Sequence, residues 1–126
     1  MRILLDTNLL LWWLEATPSL SVQAREMIRD PENTVFVSAV SLWEIWLKQS
    51  VGKLRLPVDF TERLAAESFE SLPLMASHTQ QVSLLPWRHR DPFDRMLVAQ
   101  AQVESFVLLT ADEALTAYGG FVYLAR

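Results

Sequence analysis

At 126 residues, with 51% hydrophobic content, the chain has the length of one domain and enough apolar material for its own core, which excludes a disordered segment. The absence of cysteine excludes disulfide frameworks, thiolate zinc sites and cysteine nucleophiles. Fifteen acidic against 11 basic residues give a net charge of −4, which taken alone disfavours a nucleic-acid partner.

In chain order, "RILL" (2–5) reads as a short buried strand and "NLLLWWLE" (8–15) as a helix ended near Pro18. The apolar positions Leu20, Val22, Ala24, Met27 and Ile28 predict a helix over 19–30, with "DPEN" as the turn after it. "TVFV" (34–37) is a strand, and residues 39–52 form a helix closed by Gly52. A helix over 58–70 opens after Pro57, with Asp59 and Glu62 in capping-box spacing. A short strand at 72–75 and a helix at 77–85 precede the most polar loop, "PWRHRDP" (86–92). The helix 92–104 carries proline in its first turn. A strand at 106–110, a short helix at 111–118, a Gly-Gly turn and a strand at 121–125 complete the chain. Short, continuously apolar strands alternating with helices predict one α/β domain over 1–126, a central parallel sheet with helices on both faces.

No apolar run approaches the roughly 18 residues of a membrane span, because Asp6, Glu15, Glu44 and Asp94 interrupt each candidate. The apolar "ILL" before Asp6 is too short for a signal peptide. A soluble cytoplasmic protein is the expectation.

Ligands of open α/β sheets bind beyond the carboxyl ends of the strands. Asp6 and Asp112 follow predicted strands, while Glu44 and Asp94 lie in the first turns of helices at the same end of their units. Each has a structural alternative. Ser41 with Glu44, and Thr110 with Glu113, fit capping boxes, and Asp91 and Asp94 flank Pro92 as cap and third residue would. Neither capping nor solvation easily explains Asp6, an acid ending a buried strand. Glu44 is a second anomaly, because Ser41, Glu44 and Lys48 make one narrow polar stripe on a helix otherwise apolar enough to be buried. A Glu44–Lys48 ion pair is the alternative there, contributing only about 0.3–0.5 kcal/mol.

Carboxylates converging to about 5 Å repel by about 3 kcal/mol per pair at an effective dielectric near 20. A cation or protonation is then required, and all-oxygen ligation selects Mg²⁺ or Mn²⁺. Setting these four acids aside leaves acidic and basic residues in balance, so the negative sign no longer counts against RNA.

The segments "LLDTNLLLWWL", "VSAVSLWEIWLKQSVGKLRLP", "HRDPFDRMLVAQA" and "LLTADEALTAYG", in that order, resemble a PIN-domain protein of the VapC type, the toxin ribonuclease of bacterial type II toxin–antitoxin modules. The resemblance implies a metal-dependent endoribonuclease with one or two Mg²⁺ or Mn²⁺ ions. Its acids fall on Asp6, Glu44, Asp94 and Asp112, with Asp6 and Asp94 as direct ligands and Glu44 and Asp112 acting directly or through water. Asp91 stands beside them. Thr7, Asn8, Ser41 and Thr110 are small polar neighbours suited to orienting waters and carboxylates. Lys48, Arg88, Arg90 and Arg95 are candidates for RNA phosphates, with a solvated surface role as the alternative. Trp12, Trp13, Trp43 and Trp46 read as core or interface, and Trp87 is the best candidate for base stacking. The implied partners are RNA, a cognate antitoxin and a second copy of the chain, with no membrane.

Four other readings compete. His78 and His89 are the two residues a metal-free acid–base ribonuclease would use. An aspartyl phosphoryl-transfer enzyme wants a second acid where "DTN" has Asn8. A receiver-like signalling module wants a lysine after a late strand, and nothing after Tyr118 is a lysine. A catalytically degenerate PIN relative that only binds RNA is disfavoured by the presence of all four acids.

Overall fold

The computed structural model describes residues 1–126. The elements are β1 (Arg2–Leu5), α1 (Thr7–Glu15), α2 (Val22–Arg29), β2 (Thr34–Ser38), α3 (Ala39–Ser50), α4 (Phe60–Ala65), β3 (Glu70–Leu72), α5 (Ala76–Leu84), α6 (Pro92–Glu104), β4 (Val107–Thr110), a 3₁₀ helix (Glu113–Tyr118) and β5 (Val122–Leu124). All four strand pairings are parallel, in the order β3-β2-β1-β4-β5. The α/β architecture is the expected one.

Both faces of the sheet are covered, which is why the strands read as unbroken apolar runs. Side chains alternate across a strand. Ile3 and Leu5 therefore enter one core with Leu9, Leu10, Val37, Ile45 and Leu109, while Leu4 enters the other with Val40, Leu97, Val98, Leu108 and Leu115. The connections run from β1 to β2 on one side and reach β4 on the other, so strand order reverses at the β1–β4 pair. That reversal opens a crevice beyond the carboxyl ends of these two strands.

Several boundaries differ from expectation. The helix expected over 58–70 is only Phe60–Ala65, and its capping box does not form, because the Asp59 carboxylate instead accepts from Arg63 Nε at 3.0 Å. The following strand lies at Glu70–Leu72 rather than 72–75, since Pro73 has no N–H to donate and ends the ladder to β2. Ser21 rather than an earlier residue caps α2, accepting from Ala24 N–H at 3.1 Å. After α3, Gly52 takes φ +77°, and this turn lets Lys53 N–H reach the Lys48 carbonyl at 2.8 Å.

The expectation that α3 is wholly buried is also corrected. Trp43, Trp46 and Leu47 are 58%, 43% and 42% exposed, forming an apolar ridge that the chain itself leaves largely uncovered. The buried face is Val40, Ser41, Glu44 and Ile45, so the polar stripe still points inward, towards the crevice.

Candidate active site

The Asp6 N–H donates to the Leu109 carbonyl at 3.1 Å, carrying the β1–β4 ladder one step past β1. Its side chain thereby enters the crevice, where Asp6 is 4% exposed. One carboxylate oxygen accepts from Leu9 N–H at 2.8 Å and the other accepts the Thr110 hydroxyl. Asp6 is thus the N-cap of α1, which corrects the reading that capping does not explain it. The cap uses one oxygen and leaves the carboxylate facing the other acids.

Asp91, Asp94 and Asp112 are placed by helix caps as well. Asp91 caps α6, accepting from Phe93 N–H at 2.8 Å and Asp94 N–H at 3.2 Å, and so leaves Asp94 on the first turn with its carboxylate in the crevice. Asp112 caps the 3₁₀ helix through Ala114 N–H, and its own N–H donates to Thr110 Oγ1 at 3.0 Å. Thr110 therefore links the Asp6 carboxylate at the end of β1 to the Asp112 backbone N–H just after β4. The capping boxes considered at Ser41–Glu44 and Thr110–Glu113 do not form. Ser38 is the cap of α3, and Ser41 is a buried residue whose hydroxyl accepts from Thr7 Oγ1 at 3.1 Å.

Asp6, Thr7, Asn8, Glu44, Lys48, Asp91, Asp94 and Asp112 line one cavity of about 90 Å³, and none of the lining residues is hydrophobic. Five carboxylates there face a single ammonium. The Glu44–Lys48 ion pair exists, at 2.6 Å, but it occupies only Glu44 Oε2. Glu44 Oε1 is buried with no partner. A larger hollow of about 650 Å³ beside Trp13 and Phe69 gathers no such cluster.

The electrostatics follow from crowding and burial. Burial raises the Asp6 carboxyl to about 6 from the usual 3.8, assisted by the charges of Asp112 and Glu44 and opposed by the bonds from Thr110 and Leu9. Asp94 is pushed up to about 7, by burial first and then by Asp91, Asp6 and Glu44, with His89 opposing. Hydrogen bonding to Glu44 raises the Lys48 ammonium.

His89 is a site residue that the sequence reading considered only for a metal-free ribonuclease and left out of the acid site. Its Nε2 lies 3.3 Å from Asp112 and 3.7 Å from Asp94. Ligand-type atoms of His89, Asp94 and Asp112 all fall within 4.8 Å of one another. The other ring nitrogen, Nδ1, accepts the Asp91 N–H at 3.1 Å. The neutral ring then carries its proton on Nε2, so His89 serves the acids as a donor rather than a cation as a ligand. Its position two residues before the cap of α6 was a usable signal for the Asp91 contact; the reach to Asp112 is purely tertiary. His78, the other histidine, is fully buried between Glu104, Gln100 and the Met75 N–H, and takes no part in this cavity.

Among the basic candidates, Lys48 is at the cavity edge, and Arg88 and Arg90 are exposed on the loop before α6. Arg95 is a correction. It is 4% exposed and its guanidinium donates to the carbonyls of Val82, Leu85 and Pro86 and to the Tyr118 hydroxyl, so none of it is presented to a phosphate. The chain leaving α5 turns the carbonyls of Val82, Leu85 and Pro86 towards one point, and the buried arginine is held there by donating to all three.

The donor set suits a hard divalent cation: crowded oxygens, one of them an orphan, with two carboxyls that ionise at a cost. This constellation can be compared with known proteins. The family model described as PIN domain matches residues 3–120.

The chain is a PIN domain.

No curated protein sequence matches it. Among solved structures, this PIN domain is similar to a chain of VapBC2 from Rickettsia felis bound to a DNA fragment from its promoter, at TM-score 0.74 and 18% identity, covering 98% of this chain and 97% of that one. It is also similar to a chain of a toxin–antitoxin complex from Klebsiella pneumoniae, at TM-score 0.66 and 18% identity, covering 96% and 95%. At that identity the likeness is one of fold. No helix of the PIN domain is long and apolar enough to cross a membrane.

Proposed function

We propose that this PIN domain is a Mg²⁺- or Mn²⁺-dependent endoribonuclease, and that it is the toxin of a type II toxin–antitoxin module in the cytoplasm. The single observation that carries the nuclease reading is the partnerless, buried Glu44 Oε1 in a cavity where five carboxylates meet one ammonium. The toxin reading is supported by the shared fold with chains of two toxin–antitoxin complexes. The apolar ridge of α3 is surface suited to a protein partner, whether antitoxin or second copy.

Asp6 and Asp94 would hold the ion, with Glu44 and Asp112 acting directly or through water. When bound, one or two such ions supply positive charge to a phosphodiester oxygen and lower the pKa of a water. The residues of the chain do the rest. Thr110 fixes the rotamer of Asp6, and His89 Nε2–H orients Asp112. Glu44 Oε1, lacking any other bond, is the acceptor for the proton of an attacking water. Hydrolysis by water leaves 5′-phosphate and 3′-hydroxyl ends.

Incubation of the purified protein with total RNA and Mg²⁺, Mn²⁺ or chelator, followed by end mapping, tests this. Cleavage that survives chelation and leaves cyclic phosphates overturns it, and binding without cleavage under either ion returns the degenerate reading. His89→Ala is expected to lower cleavage by about 10–100-fold, the usual effect of removing a residue that orients a ligand. His89→Gln, which keeps a donor at similar reach, retains more activity. Equal loss in both variants rejects the donor role.

A further inference from the structure

Beside the acid cavity lies a second groove of about 370 Å³, walled by Val82 of α5, by Trp87 and Arg90 of the loop 86–91, and by Pro92 and Met96 of α6. The two depressions share that loop and the first turn of α6. Trp87 is 79% exposed, an unusual state for the largest side chain in a protein. It is nevertheless not loose. Its inner face lies on the Arg95 guanidinium, 3.8 Å from the ring centroid. Arg95 is itself buried and tied to three carbonyls and the Tyr118 hydroxyl. The indole thus rests on a cation that cannot move aside, its outer face turned to solvent in a fixed direction. That face has no function in the fold, and its ordering entropy is already spent.

Its neighbours supply charge. Arg88 and Arg90 are exposed, and neither belongs to any of the chain's ion pairs. His89, between them, turns the other way into the acid cavity. Residues 87–90 therefore combine a rigid aromatic face, Arg90 beside it in the groove, a second exposed guanidinium on Arg88, and a contact to the acids through His89. In a chain of net charge −4, this is where a polyanion can approach the acids.

We propose that Trp87 is a nucleobase-stacking platform, which holds one unpaired base of a single-stranded RNA beside the acid cavity while Arg88 and Arg90 contact the flanking phosphates. This rests on the endoribonuclease reading and narrows its substrate to single-stranded or looped RNA. Bases in a duplex are stacked on one another and offer no free face to an indole. Stacking plus backbone charge is the combination by which proteins hold unpaired strands with little sequence preference. An apolar protein segment fits the groove less well, because covering Trp87 places it against two unpaired cations.

The test uses the Asp6→Asn protein, in which cleavage is expected to be slow enough for binding to be read, and a fluorescein-labelled single-stranded ribo-oligonucleotide followed by anisotropy. Adding Trp87→Leu is expected to weaken binding about tenfold, within the range for loss of one stacked base. Trp87→Phe retains most of the affinity, and a duplex of the same sequence is indifferent to either change. Replacing Arg88 and Arg90 by Gln flattens the dependence of log affinity on log salt by about 1.4, as two phosphate contacts on a single strand require. Trp87→Leu leaves that slope alone. Circular dichroism on each variant confirms folding, which an exposed side chain does not control. Unchanged single-strand affinity in Trp87→Leu, or an equal loss for duplex, overturns the proposal and leaves Trp87 to a protein partner. The two readings fail separately. If the unmutated protein cleaves RNA and Trp87→Leu binds and cleaves as well, only the platform is lost. If Trp87→Leu loses affinity while no ion supports cleavage in the unmutated protein, only the nuclease reading is lost.

Discussion

Asp6→Asn lowers RNA cleavage by about three orders of magnitude and leaves the protein folded. The size follows from the several kcal/mol that a correctly held cation contributes to a phosphoryl transition state, about 4 kcal/mol being about 10³-fold. The intact fold follows from the cap. Asn is as good an N-cap as Asp, so its carbonyl still accepts the Leu9 N–H at the start of α1. On the other side, the Thr110 hydroxyl has lone pairs to accept from the new amide. The substitution also removes a carboxylate that burial and Asp112 and Glu44 disfavour. The ion-free variant is therefore expected to melt at or above the temperature of the ion-free parent at pH 8, while the rise in Tm on adding Mn²⁺ shrinks. Full cleavage by Asp6→Asn refutes the assignment of the ligand; loss of cleavage with a collapsed Tm reduces Asp6 to its capping role.

The ion-free protein loses stability as the pH rises from about 4 to about 8, and divalent ions restore it. Asp6 and Asp94 ionise near 6 and 7 in the folded chain, against 3.8 for a free carboxyl. Between these values the folded state holds protons that the unfolded chain has released. The stabilisation is thus fully present below pH 4 and is lost as pH rises through the folded pKa values. A cation that binds only the folded carboxylates acts in the opposite sense. At a hundredfold excess over Kd it contributes about 2.7 kcal/mol, on the order of 8 °C in Tm for a domain of this size. The measurement is a series of melting curves at pH 5 and pH 8 with chelator, Mg²⁺ or Mn²⁺. The ion-induced rise is expected at pH 8 and nearly absent at pH 5, where protons occupy the same oxygens. A rise of equal size at both pH values, or a Tm with chelator that climbs from pH 5 to pH 8, contradicts the origin assigned to these shifts.

What was legible in the sequence, and what was not, divides along physical lines. The strands β1, β2 and β4 were readable because burial on both faces leaves no polar position inside them, so Ile3, Leu4 and Leu5 form an unbroken run. The four acids were readable as a set because Asp6 and Asp112 follow strands while Glu44 and Asp94 lie in the first turns of helices, and the structure brings all four to one cavity. The short edge strand β3 was displaced because Glu70 and Ser71 carry no strand signature and are held only by pairing to β2. The exposure of Trp43 and Leu47 was illegible in principle, since periodicity shows that a face is apolar and not what covers it. The arginines were misjudged for a related reason. Arg88, Arg90 and Arg95 look alike in sequence, and only the converging carbonyls of Val82, Leu85 and Pro86 decide that Arg95 is the one taken inside. For His89, the contact to Asp112 spans 23 positions and exists only once β4 has docked beside β1.

The docking of β4 on β1 has a consequence for biosynthesis. Asp6 precedes its Thr110 partner and Asp112 by more than a hundred codons. A growing polypeptide, or one truncated by a premature stop before β4, carries the carboxylates of Asp6, Glu44 and Asp94 without the strand that holds the first of them in register. The cavity is complete only after β4 has been made and has docked, so a shortened product is expected to lack the activity proposed above.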